Sequence, residues 1–318
     1  MIDQSGSYAT PRADIGAAIQ EFRNEDVTNI GTQLLTVLPM KKKAASVTAV
    51  TREATLYRVD TKRAKRGAYN RAGFEKVDVP YECEEHGLEG PLEDSERSQY
   101  ASDFDAEYET SRVTMGRVLR EQEIRIAALV FNTTTWTGAD LYTDVSAAPW
   151  DTTSSDAISH VIAAKEKVRR FTGMNPDTMA IGKVTYDNLK RNDDIVDMLK
   201  YVKVPTEDVI KEAMASIFGL KRILVGDNVY NATAEGGTIS MSDVWSDDYA
   251  FIAVTAMGGN IIEPCVGRTV LWSDDSPENA TVEEYREEQT RSTIYRVRQH
   301  TDEKIFDPYF AHLLKVDA

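Results

Sequence analysis

The stretch with the clearest chemical spacing is Gly182-Lys183-Val184-Thr185. It resembles the end of a phosphate-binding loop, in which backbone N–H groups and a Lys hold a nucleotide. The earlier glycine of that motif is missing at the required spacing, and Val184 stands where the Ser or Thr after Lys must be. A turn within a core is the better reading. No GxGxxG run is present. His86, His160, His300 and His312 are scattered, without an HExxH pair or a neighbouring Cys, so no metal site is expected. Asp193-Asp194 and Asp274-Asp275 are adjacent carboxylates of the kind solvated loops carry, and no GxSxG elbow marks a nucleophile. Asn132, Asn231 and Asn279 open glycosylation-type triplets that read as surface loops. Cys83 and Cys265 lack metal-ligand spacing and are expected to be reduced, structural thiols. No catalytic residue, cofactor site or metal site is expected, and a hydrolase using a carboxylate of the α/β region is a distant alternative.

The bulk composition points away from other classes too. With 318 residues the chain can bury a sizeable core in two or three units. No apolar run is long enough for a membrane span, and the opening residues MIDQSGSYATPRADIG lack the basic-then-apolar pattern of a signal peptide. The formal net charge of −15 disfavours gripping a phosphate backbone over the whole surface. It does not stop the protein from enclosing nucleic acid, because a negative wall contains the polymer without adhering to it.

The charge is distributed in blocks. Between Lys41 and Lys76 there are eleven bases against three acids; between Asp78 and Glu109 there are twelve acids against Arg97 alone. Ser46 to Asp60 and Phe74 to Tyr81 have β-type patterns and flank KRAKRGAYNRAG, which predicts a long hairpin with a basic tip. Lys62, Arg63, Lys65, Arg66 and Arg71 are the candidate contacts on the tip, and Glu84, Glu85, Glu93, Asp94 and Glu107 are those on the acidic side. Opposed blocks on one chain invite head-to-tail contact between copies. Two solvated faces of different sign are the plain alternative. A nucleic-acid-binding loop is disfavoured, since only Tyr69 and Phe74 are interleaved with the bases.

These blocks need a frame. Asp103 to Phe131 contains no Pro and predicts one helix roughly 40 Å long. Ser102 with Asp105 forms a plausible capping box, and Phe104, Tyr108, Met115, Leu119, Ile126 and Leu129 or Val130 form a narrow apolar stripe. A coiled coil is second choice because the heptad fades at Gln122. Before the hairpin lies an arm whose Ile15, Ile19, Phe22, Leu34, Leu35 and Leu38 have few local partners. Residues 155 to 260 alternate helix and strand, with Ser155 and Thr206 opening helices and Gly173 and Gly219 ending them. Ile261 to Trp272 and Thr281 to His300 each read as one strand, and Phe310 to Val316 as a last one, together supplying the surface that the long helix covers.

The order arm, hairpin, long helix, inserted α/β unit and closing strands resembles the Hong Kong 97-type major capsid proteins of tailed phages. The likeness rests on YECEEHGLEGPL, on REQEIRIAALVFN, on IFGLKRILVGDNVYN leading to VWSDDYAFI, and on VEEYREEQTRSTIYRVRQHTDEKIFDPYFAHLL. The resemblance implies an α+β fold with an N-terminal arm (1–45), an E-loop hairpin (46–85), P-domain parts (86–154, with a spine helix at 103–131, and 261–318) and an A-domain (155–260). It implies a homo-oligomer of hexamers and pentamers in an icosahedral head, in the virion, assembled in the host cytoplasm. Double-stranded DNA would be enclosed rather than specifically bound, and a separate scaffolding protein and a portal would be partners. Lys62 to Arg71 would reach an adjacent subunit. An encapsulin-type compartment has the same fold and is the nearest alternative.

Overall fold

The computed structural model describes residues 10–11, 29–50, 52, 56–63, 65–71, 73, 75–100, 105–200, 206–233, 236–277 and 279–317. Strands β1 (Thr10–Pro11), β2 (Val37–Met40), β3 (Ala44–Val50), β4 (Lys76–Glu82) and β5 (Glu84–Glu93) precede the 25-residue helix Ala106–Val130. Strands β6 (Tyr142–Asp144), β7 (Thr178–Gly182), β8 (Arg222–Gly226), β9 (Val229–Asn231), β10 (Met241–Asp243) and β11 (Tyr249–Ala253) follow, interleaved with helices. The chain continues through β12 (Gly267–Trp272), β13 (Thr281–Glu287), β14 (Ser292–Ile305) and β15 (Ala311–Lys315).

The long helix begins where Asp105 accepts hydrogen bonds from the N–H groups of Glu107 and Tyr108. Ser102 and Phe104 lie outside the described residues. The buried face is broader and more polar than a narrow stripe, for Gln122 and Glu123 are buried beside Leu119, Ile126 and Val130. Gln122 survives there because it exchanges amide hydrogen bonds with Asn279 at 2.8 and 3.3 Å. Gly90 lets the helix approach β5 closely: a Cβ at that position would stand 2.5 Å from Thr114 Oγ1.

The helix covers a six-stranded sheet in which β14 pairs with β13, β12 and β5. The expected single strand from Thr281 to His300 is in fact a hairpin. Its turn contains Arg291 at φ 52°, and no Gly announces it. Similarly, Ile261 to Val266 is irregular, and the strand begins only at Gly267. A second sheet has the order β6-β15-β11-β7-β8, with helices Ala157–Thr172 and Glu207–Ile217 on one face and the end of the long helix on the other. The last strand therefore joins the α/β sheet, where Ala311 and Leu313 pack against the C-terminal end of the long helix. Helix Ala157–Thr172 is capped by Asp156, not Ser155, and Gly173 ends it at φ 72°. Thr206 precedes helix Glu207–Ile217 without a side-chain cap, and Gly219 follows at φ 61°.

Part of the arm finds its partners within the molecule. Ile30, Leu34 and Leu35 pack with Ile126, Val130, Trp136 and Trp245, and Leu38 packs with Val47, Tyr81, Cys83 and Val270. Strand β2 pairs in parallel with β12. Ile15, Ile19 and Phe22 lie outside the described residues.

Candidate assembly interface

Two surfaces of opposite charge are built on this frame. In the hairpin, β3 and β4 pair from Ala44–Glu82 to Val50–Lys76. Its base is fixed: Trp272 Nε1 donates to Lys41 O (3.1 Å) and Cys83 N to Lys43 O (2.9 Å). The Arg52 guanidinium lies 3.4 Å from the Tyr309 ring centre and 3.9 Å from Asp307 Oδ1. Farther out, burial ceases. Lys62, Arg63, Lys65, Arg66 and Arg71 are all exposed, and among the described residues none of the five makes an ion pair. The tip is held by local bonds, with Arg63 Nε donating to Gly67 O (2.6 Å) while its guanidinium stacks on Tyr69 (4.3 Å). Asp60 accepts from Lys62 N (2.9 Å), and Asn70 Nδ2 donates to Asp60 O (2.8 Å). Arg66 sits at φ 66° in the left-handed region.

The acidic surface follows β5, whose pairing with β14 places Glu85 opposite His300 and Glu89 opposite Arg296. Glu89 binds Arg296 at 2.7 Å, and Glu85 lies 3.6 Å from His300 Nε2. The candidate acids divide into two groups. Asp94 takes a bidentate contact from Arg286 (2.6 and 2.7 Å), whose hydrogen bonds hold its carboxyl below the usual carboxylate range. Glu107 is paired with Arg97. Glu84, Glu85 and Glu93 are exposed along β5. Between β5 and the long helix runs a groove lined by His86, Leu88, Arg117, Val118, Glu121 and Arg125.

At the centre, Glu123 holds three parts of the chain together and was not evident from sequence. Its buried carboxylate accepts from Ile30 N (2.8 Å), Gly31 N (2.9 Å) and Trp245 Nε1 (2.7 Å). Arm, long helix and α/β unit thus meet on one side chain. In the sequence it reads as one more charged helix residue.

The motifs tested for chemistry have structural roles. At Gly182 the start of helix Lys183–Leu189 is filled by Asp247, whose Oδ1 accepts from Val184 N (3.1 Å) and lies 2.4 Å from where a Gly182 Cβ would be. Burial raises the Asp247 carboxyl pKa, and the bond from Val184 N–H offsets part of that rise. Among the described residues no group of three His, Cys, Asp or Glu could hold a metal ion, and no helix is long and apolar enough to cross a membrane. Cys83 and Cys265 are free and buried, and burial, then Asp302 and Glu303, push the Cys83 thiol up to about 11.

This architecture has close counterparts. A phage-related protein from Bordetella bronchiseptica superposes with a TM-score of 0.72 at 19% identity, over 97% of this chain and 98% of that one. The capsid of Cyanophage P-SCSP1u matches at TM-score 0.59 and 12% identity, over 90% and 87%. The fold is that of the Hong Kong 97-type capsid proteins. In chain order, the β3–β4 hairpin and helix Ala106–Val130 stand as the candidates for the expected E-loop and spine helix. An encapsulin from Synechococcus elongatus shares the fold at TM-score 0.51 and 10% identity, over 90% and 86%. In sequence, the chain is 26% identical over 297 residues to the major capsid protein of Burkholderia phage BcepMu, which covers 91% of this chain and 89% of that protein. No family model matches the chain.

Proposed function

We propose that this chain is the major capsid protein of a tailed phage, a structural subunit that self-assembles into hexamers and pentamers of an icosahedral head. The observation that carries the proposal is the exposed E-loop tip: five cations without ionic partners among the described residues, on a hairpin whose base is rigidly held. Another copy can supply partners for such a projection, and exposed Glu84, Glu85 and Glu93 offer the opposite charge. Asp94 and Glu107 contribute less, because each already holds an arginine of its own subunit. We assign residues 1–45 to the arm, 46–85 to the E-loop, 86–154 and 261–310 to the P-domain, and 155–260 to the A-domain. Residues 142–144, within the first P-domain range, and residues 311–315 count with the A-domain, since β15 pairs with both β6 and β11.

The head would enclose double-stranded DNA against an acidic wall, in the virion, after assembly in the host cytoplasm with a separate scaffolding protein and a portal. The sequence relationship to a phage capsid protein over nine-tenths of the chain favours this over an encapsulin-type compartment. Expression with its scaffold, followed by electron microscopy, tests the reading. Closed shells are expected, and assembly of Arg63→Glu/Arg66→Glu is expected to fall while the subunit remains folded. Wild-type protein that stays monomeric at high concentration and low salt overturns it. Shells filled by a protein cargo favour the compartment instead.

A further inference from the structure

The loop after β11 has more internal bracing than a simple connection needs. Arg268, fully buried, donates to the carbonyls of Gly258 and Asn260 (2.9 Å for the latter), lies 3.4 Å from Glu263, and donates to Cys265 Sγ at 3.3 Å. Glu263 in turn accepts from Met257 N (3.0 Å) and Gly258 N (3.2 Å). A buried arginine is a costly device, and replacing such a pair by apolar residues often stabilises a fold. Here it fixes a loop that turns Met257, Ile261 and Ile262 toward solvent, Ile262 with 73% of its surface exposed. Exposed apolar side chains on a preformed loop are the pattern of a contact surface.

A second apolar tip lies at the far end of the same sheet. β7 and β8 run parallel, and β11 runs antiparallel to β7. The braced loop therefore leaves the end marked by Thr178, Arg222 and Ala253, and the β9–β10 hairpin leaves the end marked by Gly182 and Gly226. On that hairpin Val229, Ile239 and Met241 are exposed, Ile239 at 73%. Charge differs between the ends in the same sense: exposed Lys221 flanks the loop, bonded through Asp177 to the start of the braced segment, and exposed Asp227 and Asp243 flank the hairpin. Two apolar patches at opposite ends of one sheet, edged by opposite charges, cannot meet within one molecule.

We propose that the Met257–Ile262 loop of one subunit docks on the β9–β10 hairpin of a second copy of this chain. The contact is heterologous, so it propagates from copy to copy and closes where the rotation between copies closes a ring. It lies apart from the E-loop contact, and it rests on the reading of this chain as a self-assembling subunit. On a chain of net charge −15, apolar contact also offsets repulsion between copies.

The test uses the full-length chain with three variants: Ile262→Lys, Ile239→Glu and the double variant. Both side chains are largely exposed, so circular dichroism and thermal midpoint are expected to match the wild type. Each single variant is expected to lower assembly by about tenfold or more, read by sedimentation and microscopy. The double variant, which places opposite charges across the contact, is expected to recover much of the loss. Single variants that assemble like the wild type overturn the inference and leave the capsid reading standing. Loss in both singles without recovery in the double overturns the pairing of these two tips. A wild type that fails to assemble overturns both readings.

Discussion

Glu123→Ala removes the acceptor that receives Ile30 N, Gly31 N and Trp245 Nε1 at 2.7–2.9 Å inside the core. Each orphaned buried donor costs about 1–3 kcal/mol. Allowing for relaxation and entry of water, the loss is about 3–6 kcal/mol, a large share of the 5–15 kcal/mol typical of a folded protein. Glu123→Gln keeps the shape and one good acceptor, but its amide N–H faces a backbone donor, so it costs about 1–3 kcal/mol. Trp245→Phe removes a single donor together with its indole packing. Guanidinium unfolding gives the total, and hydrogen exchange over residues 29–35 gives the location, since that segment loses its anchor first. A loss under about 1 kcal/mol for Glu123→Ala, with protection of residues 29–35 unchanged, refutes the role of this carboxylate as the junction of arm, spine helix and α/β unit.

Three further outcomes follow from the packing. Gly90→Val drives a side chain into Thr110 and Thr114 of the spine helix and is expected to lower subunit stability by about 1–3 kcal/mol, read as a fall in the denaturant midpoint. Gly116→Ala faces open space in the middle of the same helix and is expected to raise stability by up to about 1 kcal/mol in the same assay. His312 is fully buried between Thr143 Oγ1 (2.8 Å) and Asp140 O (2.9 Å), and burial, with help from Lys167, pushes its pKa down to about 4. With the folded value below the unfolded 6.5, only the unfolded chain takes up this proton between those values. Stability is therefore full above about pH 6.5 and falls toward pH 4, by on the order of 3 kcal/mol. Unfolding series across that window are expected to show a flatter profile for His312→Gln, and equal slopes refute the assignment.

The elements were legible where local chemistry decides them. Gly173 at a left-handed cap acts through its neighbours in sequence. The expected capping box is shifted, since Asp105 is itself the N-cap, and the first hairpin strand ends at Val50, short of the expected Asp60. The basic tip was legible too, as Lys62, Arg63, Lys65, Arg66 and Arg71 are all exposed and make no ion pair among the described residues. What stayed hidden depends on distant partners. Glu123 looks like a solvated helix charge until Ile30 and Trp245 meet it from 93 and 122 residues away. The β13–β14 turn carries Arg291 rather than Gly at its left-handed position, so the alternation runs on without a break. Residues 311–314 are buried on both faces of their strand, and no local signal says which sheet receives them. Of the acidic candidates, Asp94 and Glu107 carry in the sequence no signal beyond their charge, and the arginines that occupy them come from position 286 and from the adjoining helix Asp94–Tyr100.

The insertion of β15 between β6 and β11 has a consequence for synthesis on the ribosome. A nascent polypeptide that has not yet released residues 311–315 leaves β11 with an open edge and β6 without its strand partner. The α/β unit then closes only once those residues emerge. Prematurely terminated products would lack a finished sheet and be left to proteolysis before they could join a growing lattice, so the order of translation itself screens the building blocks.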